Sequence, residues 1–142
     1  MARLSWRRKF EGARPAHISV LEKSFSGLVA GSSLLIATPA MVQQAIDRVP
    51  PGRTRSTAEL RAELAAGSGA DATCPLTTGI FLRIVAELAL EDLAAGVPVD
   101  RVTPFWRVID PDSILAGKLG CGRDFIRVRR ADEAALGERL SA

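Results

Sequence analysis

The segment from Cys74 to Gly96 constrains the fold more than any other part of the chain. Pro75 favours the first turn of a helix, and Val97-Pro98 ends it. Between these limits, apolar residues recur at helical spacing and form one wide face: Leu76, Ile80, Phe81, Ile84, Val85 and Leu88. Because a long amphipathic helix is stable only when other elements cover its apolar face, the segment predicts a mainly helical globular fold.

Three elements are predicted before this long helix. Ser33-Leu34-Leu35-Ile36-Ala37 is a short apolar run between turn formers, which favours a buried strand. Thr38-Pro39 opens a helix that Pro50-Pro51-Gly52 stops. Ser56 and Glu59 have the spacing of a capping box, and the helix they open continues to Gly67.

The remaining segments leave alternatives open. Residues 17–30 are compatible with a helix or a loop. Pro104 to Ile109 is rich in strand formers and precedes the turn Asp110-Pro111-Asp112, so it predicts a strand. Asp124 to Leu140 allows one helix, or a strand over 125–129 followed by a short helix. The predicted fold class is mainly α with short β strands, α+β.

Charge and length indicate one domain with a basic N-terminal arm. The chain has 142 residues, 47% of them hydrophobic, which is sufficient for a single core. Residues 1–14 hold five basic side chains against Glu11, so the rest of the chain nets −1 although the total is +3. We therefore predict an arm over 1–16, flexible or loosely docked through Trp6 and Phe10, and a single domain over 17–142.

Cysteine and histidine usage predicts neither a metal site nor a secreted disulfide framework. The chain has two cysteines, Cys74 and Cys121, and one histidine, His17. No cofactor is expected. The first residues lack the apolar run of a signal peptide. Because polar and turn-forming residues interrupt the apolar stretch from Phe25 to Val42, no membrane span or membrane partner is expected either. These features predict a cytoplasmic protein.

Two segments, taken together, resemble the DNA-binding domain of the alkylguanine-DNA alkyltransferases. Residues 42–60, VQQAIDRVPPGRTRSTAEL, resemble its helix, Pro-x-Gly turn and following helix start. Pro104-Phe-Trp-Arg-Val108 resembles its Pro-Cys-His-Arg-Val active-site strand. Ser5-Trp-Arg7 and Cys74-Pro-Leu-Thr-Thr-Gly-Ile-Phe81 are similar to segments of a small bacterial group within that family. The resemblance covers roughly residues 38–135 and the arm.

The resemblance implies a winged helix-turn-helix-like domain whose first helix is residues 56–66 and whose recognition helix opens at Cys74-Pro75. The alkyl-accepting Cys of the family matches Phe105, and its activating His matches Trp106. Glu133 falls near the family's supporting Glu. Since the chemistry needs a thiolate made by a neighbouring base, the resemblance points to a protein that is not an enzyme.

The same resemblance implies a set of DNA contacts. The family's phosphate-rotating Tyr matches Thr57, and the Arg that replaces the flipped base matches Leu76. The nucleic-acid-binding candidates are Ser56, Thr57, Leu76, Thr77, Thr78 and Arg107, and one of Phe105 or Trp106 is a candidate pocket residue. The alternatives are a buried structural Arg107, aromatic side chains that pack the core, and threonines that bond back to the preceding turn.

Three hypotheses of function follow. The first is a non-catalytic protein that binds double-stranded DNA, similar to the alkyltransferase-like proteins, and senses distorted or alkylated bases. The second is a protein-interaction module on the same fold with an unknown protein partner, favoured by the near-neutral body. The third is a thiol-dependent alkyl acceptor using Cys74, because a helix N-terminus favours a thiolate there. A Cys74 that is merely packed near the helix cap is the structural alternative.

Overall fold

The computed structural model describes residues 5–141; residues 1–4 of the predicted arm, with Arg3, and residue 142 lie outside the described part. Helices dominate, and a three-stranded mixed sheet accompanies them, as an α+β fold requires. Two 3-10 turns lie at Val99–Arg101 and Phe105–Arg107. The other elements are α1 (Trp6–Glu11), β1 (His17–Val20), β2 (Ser33–Ile36), α2 (Pro39–Asp47), α3 (Thr57–Ser68), β3 (Ala72–Thr73), α4 (Pro75–Ala94), α5 (Ile114–Lys118) and α6 (Gly122–Ser141).

The sheet has the strand order β1-β2-β3. β1 runs antiparallel to β2, with His17 opposite Ile36, and β2 runs parallel to β3, with Leu35 opposite Thr73. The strand expected near residue 34 is therefore confirmed. Residues 17–20 form a strand, where a helix or a loop was expected. Four exposed residues carry too little periodicity to reveal a strand, and pairing with β2 supplies the backbone partners.

Helix starts follow the predicted caps. The Thr38 hydroxyl accepts a hydrogen bond from the Met41 N–H at 3.1 Å. Ser56 and Glu59 satisfy each other's backbone donors at 3.0 and 3.1 Å, so the capping box is confirmed. α3 continues to Ser68, one residue beyond the predicted end, and stops where Gly69 adopts a left-handed φ of 77°.

The long helix α4 forms as predicted, but its buried face differs. It packs against α1 and α2, and Ile84, Val85 and Leu88 of the predicted apolar face are buried. Leu76 and Ile80, expected in the core, are 63% and 51% exposed. The other side of α4 packs against α1, α2 and the Phe105–Arg107 turn, so Leu76 and Ile80 are left exposed. The buried residues of α4 are Thr78, Leu82, Ile84, Val85, Ala86, Leu88 and Ala89.

The strand predicted over Pro104–Ile109 was wrong. Phe105–Arg107 is a 3-10 turn, closed by a hydrogen bond from the Val108 N–H to the Phe105 carbonyl oxygen at 3.1 Å. No neighbouring strand pairs with this segment in residues 5–141. Strand propensity mainly reports how a side chain packs on a half-buried sheet, and here the aromatic side chains are fully buried by helices instead.

Residues 122–141 form one helix, α6, so the strand alternative over 125–129 is excluded. α6 packs against α5 and the Phe105–Arg107 turn. Ile126 and Glu133 are buried on its inner face. Consequently no β-hairpin follows α4 as far as residue 141, and the wing that the resemblance implied is not seen.

The described part of the arm is docked. Ser5 caps α1 by accepting from the Arg8 N–H at 3.2 Å, and α1 packs on α4. Trp6 lies between Lys9 and Arg83, whose cationic groups are 4.2 and 5.3 Å from the ring centroid. Of the two alternatives for the arm, docking through Trp6 is therefore correct for residues 5–11. None of the helices within residues 5–141 has the length and hydropathy needed to cross a membrane.

Candidate nucleic-acid interface

A groove of about 520 Å³ opens where the N-termini of α3 and α4 approach the segment after the Phe105–Arg107 turn. Its walls combine hydroxyl, apolar and charged side chains, and α6 contributes Arg130. Three of the predicted DNA-contacting residues, Ser56, Thr57 and Thr78, belong to these walls. The lining residues are Thr54, Arg55, Ser56, Thr57, Glu59, Arg61, Pro75, Thr78, Gly79, Leu82, Val108, Ile109, Asp110, Ser113, Leu115 and Arg130.

Leu76 stands on the first turn of α4, next to the groove residue Pro75. Its side chain is 63% exposed, and Ile80, one turn further, is 51% exposed. A side chain four residues further along a helix lies on the same face, so the two form one apolar surface strip. The structure therefore leaves Leu76 free to contact a partner.

The two threonines of α4 bond back to the helix start. The Thr78 hydroxyl donates to the Cys74 carbonyl oxygen at 2.7 Å, and the side chain is 1% exposed. The Thr77 hydroxyl makes a longer contact of 3.5 Å with the same oxygen and is half-buried. Thr78 is thus a satisfied buried hydroxyl, which corrects its interpretation as a phosphate contact.

Phe105 and Trp106 are core residues. Their exposed fractions are 0% and 1%, and neither lines the groove. Both pack against Phe125, with ring centroids 5.9 and 6.2 Å away. The prediction that one of them lines a pocket is corrected accordingly, because the 3-10 turn directs both rings inward where an extended strand would have separated them.

Arg107 is held inside the protein by Glu133. Its guanidinium donates from Nε and Nη2 to the carboxylate at 2.9–3.2 Å and from Nη1 to the Val49 carbonyl oxygen at 2.7 Å. The side chains of Arg107 and Glu133 are only 13% and 7% exposed. A DNA-contacting role for Arg107 is therefore corrected to a structural one, the alternative already open in the sequence.

Glu133 joins three parts of the fold: α6, the Phe105–Arg107 turn and the loop before α3. Besides Arg107, its carboxylate accepts from Trp106 Nε1 at 2.6 Å and from the Gly52 N–H at 3.2 Å. The Arg107 carbonyl oxygen in turn accepts a hydrogen bond from the Arg55 N–H at 2.8 Å. α6 thereby fixes the loop before α3, and with it one wall of the groove. A glutamate is thus present near the position of the family's supporting Glu, but its carboxylate accepts hydrogen bonds from the Trp106 indole and the Arg107 guanidinium.

The pKa of Glu133 lies below its ordinary value. Burial raises the pKa of this carboxyl, but hydrogen bonds from Arg107, Trp106 and the Gly52 N–H, with the Arg107 charge, lower it by more. A carboxylate with a depressed folded-state pKa stabilises the fold above its unfolded-state pKa of about 4.3. That stabilisation is lost as the pH falls through the folded-state value.

We therefore predict a pH-dependent difference between the wild type and Glu133→Gln. The free energy of unfolding should differ by a constant amount above about pH 5, and the difference should shrink below about pH 4 as Glu133 protonates. Urea denaturation of both proteins across this range measures it. Asp47, whose pKa is raised by burial, titrates in both proteins and cancels in the comparison. A difference that stays constant down to pH 2.5 would contradict the ion pair.

Three arginines line the groove, Arg55, Arg61 and Arg130, and none of them was identified as a site residue from the sequence. Arg130 donates from Nε to the Trp106 carbonyl oxygen at 2.6 Å and from Nη2 to the Ile109 carbonyl oxygen at 3.1 Å. Arg61 lies in the α3 wall. The signal for Arg130 was its spacing from Ile126 and Glu133, which places the three on one face of a helix. That signal could be used only if 122–141 was assigned as one helix.

Cys74 is the N-cap of α4, as predicted, but its side chain is 6% exposed and makes no cap hydrogen bond. This is the packed alternative, and it leaves little access to the sulfur. Cys121 is partly buried, and its pKa is raised by burial and by the charge of Glu87, against a hydrogen bond to backbone. No three His, Cys, Asp or Glu side chains form a metal-binding group within the part of the chain that the structure describes.

The groove wall depends on the Ser56 cap, which gives a further prediction. Ser56→Ala should lower the free energy of unfolding by about 1 kcal/mol, because the Glu59 N–H loses its side-chain acceptor. Thermal denaturation followed by circular dichroism measures the loss. Ser56→Asp, which retains an acceptor at the cap, is the matched control and should stay within about 0.5 kcal/mol of the wild type. Equal losses in the two variants would contradict the capping role.

Comparisons of the chain with protein-family profiles, curated proteins and solved structures found no match. The resemblance to the alkyltransferases therefore depends on the residues quoted above, and what it implies remains a hypothesis.

Proposed function

We propose that this chain is a non-catalytic DNA-binding protein, similar to the alkyltransferase-like proteins, that responds to distorted or alkylated bases through the helix pair α3–α4. In this proposal α4 is the recognition helix of a helix-turn-helix. The contacts are made by Ser56, Thr57, Leu76 and Thr77. Because Thr78, Phe105, Trp106 and Arg107 are occupied inside the protein, the proposal excludes them from the interface.

The exposure of Leu76 is the observation that carries this proposal. A leucine that is 63% exposed on the first turn of a 20-residue helix would gain free energy by burying its apolar surface against a partner. Apolar side chains inserted between base steps are a known way for proteins to bind distorted DNA. The hydroxyls of Ser56 and Thr57 at the start of α3 suit phosphate contacts, which position a protein on a duplex.

Charge around the groove supports phosphate contacts at a small number of positions. Arg61 makes no ion pair with any described carboxylate, whereas Arg55 pairs with Glu63. Glu59, which also lines the groove, is held by the capping box. Since the chain beyond residue 14 nets −1, we expect a footprint of few phosphates and a modest salt dependence.

The test is fluorescence anisotropy with labelled duplexes, one perfectly paired and one with an alkylated guanine, at low and moderate salt. The wild type should bind at micromolar protein with a salt-dependent affinity. Arg61→Gln should reduce the slope of log K against log salt by about 1. Leu76→Ala should weaken binding to the alkylated duplex more than to the paired one. Arg101→Gln, which removes an exposed arginine outside the groove, is the control. It should change neither the salt slope nor the affinity for either duplex.

Absence of salt-dependent binding at micromolar protein would overturn the proposal. If Leu76→Ala weakened binding to both duplexes equally, the role of Leu76 as a wedge at a distorted base would be contradicted, but non-specific DNA binding would not.

A protein-interaction module is the second candidate function. It is favoured by the exposed apolar side chains Leu76, Ile80 and, on α5, Ile114, which is 77% exposed. Such surface suits a protein partner as well as unstacked bases. Pull-down with and without nuclease treatment separates the two candidates. A protein that the wild type retains after nuclease treatment and that Ile114→Ser loses supports this one, and recovery of nucleic acid alone from the untreated sample opposes it.

The thiol-dependent alkyl acceptor is the weakest candidate, since the Cys74 sulfur is buried. Intact-mass measurement after incubation with alkylated DNA tests it, and an unmodified Cys74 ends it.

A further inference from the structure

Arg130 contributes to the groove a cation that no acidic side chain neutralises. Its two hydrogen bonds go to the backbone carbonyl oxygens of Trp106 and Ile109. No carboxylate among the described side chains lies within ion-pair distance of its guanidinium. An arginine carries more N–H donors than these two bonds use, and it is always charged. The groove therefore contains a fixed positive charge with unused donors.

Arg61 adds a second such charge from the α3 wall. Its side chain forms no hydrogen bond or ion pair with the side chains that the structure describes, and it lines the groove together with Arg130. Arg55, the third arginine of the lining, is engaged with Glu63. Two arginines on separate elements, α3 and α6, thus line one concave surface without a carboxylate partner.

The two acidic residues that line the groove, Glu59 and Asp110, do not pair with Arg61 or Arg130. Glu59 accepts the Ser56 N–H, so its carboxylate is directed to the cap of α3. One oxygen of Asp110 accepts the Asp112 N–H at 2.8 Å, and the other is open to a donor. Beside them, the groove presents two partly exposed apolar side chains and three residues with hydroxyl groups: Pro75, Leu115, Thr54, Thr57 and Ser113.

We propose that this groove binds a small organic phosphate, with the phosphate on Arg61 and Arg130 and the organic part against Pro75 and Leu115. Guanidinium groups form short, charge-assisted and often bidentate bonds to phosphate. The groove volume of about 520 Å³ falls within the range of small-molecule sites. This inference is independent of the proposed DNA binding, since a free phosphate monoester and a DNA phosphate are separate sources of the same group.

Phenyl phosphate and phenol are the matched probes, because they differ only in the phosphate. Binding is measured by protein-observed NMR titration of the full chain. Phenyl phosphate should shift the amide signals of residues 54–61 and 108–115 saturably, and phenol should bind at least about tenfold more weakly. Arg61→Gln should weaken phenyl phosphate binding by about tenfold or more, while Arg101→Gln should leave it unchanged.

Gly79→Leu provides a second variant that does not remove a charge. A Cβ at Gly79 meets no heavy atom within 4 Å, so the longer side chain occupies open groove space without disturbing the core. It should abolish phenyl phosphate binding, and Gly79→Ala should retain most of it. Arg130→Gln should also abolish binding. Because it removes two bonds to backbone carbonyls, its fold is checked by circular dichroism, and the Arg61 and Gly79 variants decide the matter if it unfolds.

The sources of phosphate are separated by adding a short DNA duplex and inorganic phosphate. Phenyl phosphate binding without duplex binding would support this inference and overturn the proposed DNA function. Duplex binding without phenyl phosphate binding would overturn this inference and leave the DNA function intact. Equal binding of phenol and phenyl phosphate, or an unchanged affinity in Arg61→Gln and Gly79→Leu, would also overturn it.

Discussion

Glu133→Ala is expected to lower the free energy of unfolding by about 3–5 kcal/mol, as removal of one partner from a buried ion pair does. The substitution leaves the Arg107 guanidinium buried without a counter-charge and the Trp106 N–H without an acceptor. The Gly52 N–H also loses its partner. Urea denaturation at pH 7 measures the loss.

Asp124→Asn is the matched control for this substitution. Asp124 pairs with Arg127 on the same helix, but its side chain is 92% exposed. Water and salt screen such a pair, so the change should stay within about 1 kcal/mol. Glu133→Gln retains the side-chain shape and one hydrogen-bonding oxygen. Its loss in the free energy of unfolding should therefore lie between those of Glu133→Ala and Asp124→Asn. If Glu133→Ala costs no more than Asp124→Asn, the buried network around Glu133 does not exist in solution.

Trp106→Ala is expected to cost about 3–5 kcal/mol or more, because it removes the largest fully buried side chain. The cavity adjoins Phe105 and Phe125, whose rings are 5.4 and 6.2 Å from that of Trp106. The Glu133 carboxylate also loses the indole N–H. Thermal and urea denaturation measure the change, provided that the variant and the wild type have the same m-value in urea.

Two variants separate the contributions to this loss. Trp106→Phe retains much of the packing and loses the hydrogen bond to Glu133, so it should cost about 1–3 kcal/mol. Leu76→Ala removes an exposed side chain from the same set of predicted site residues and should change stability by less than about 0.5 kcal/mol. Should Trp106→Ala prove as mild as Leu76→Ala, Trp106 would be a surface or pocket residue after all.

The candidate site shows where sequence reasoning succeeds and where it stops. Ser56 and Thr57 were placed correctly at the start of α3, since a capping box is a local pattern of four residues. Leu76 was correctly placed at the start of α4, and its exposure excludes it from the buried apolar face, whereas the DNA wedge stays a proposal. Arg107 depended on Glu133, a partner 26 positions away that no local pattern connects to it.

The helix starts at Thr38, Ser56 and Pro75 were determined by the sequence alone, because caps and proline positions act through bonds within one turn. Packing decided the rest. The direction in which α4 faces the core, the inward turn of Phe105 and Trp106, and the positions of Arg107 and Arg130 depend on segments distant in the chain. Burial and ion pairing are properties of such contacts, so they are settled only once the helices have assembled.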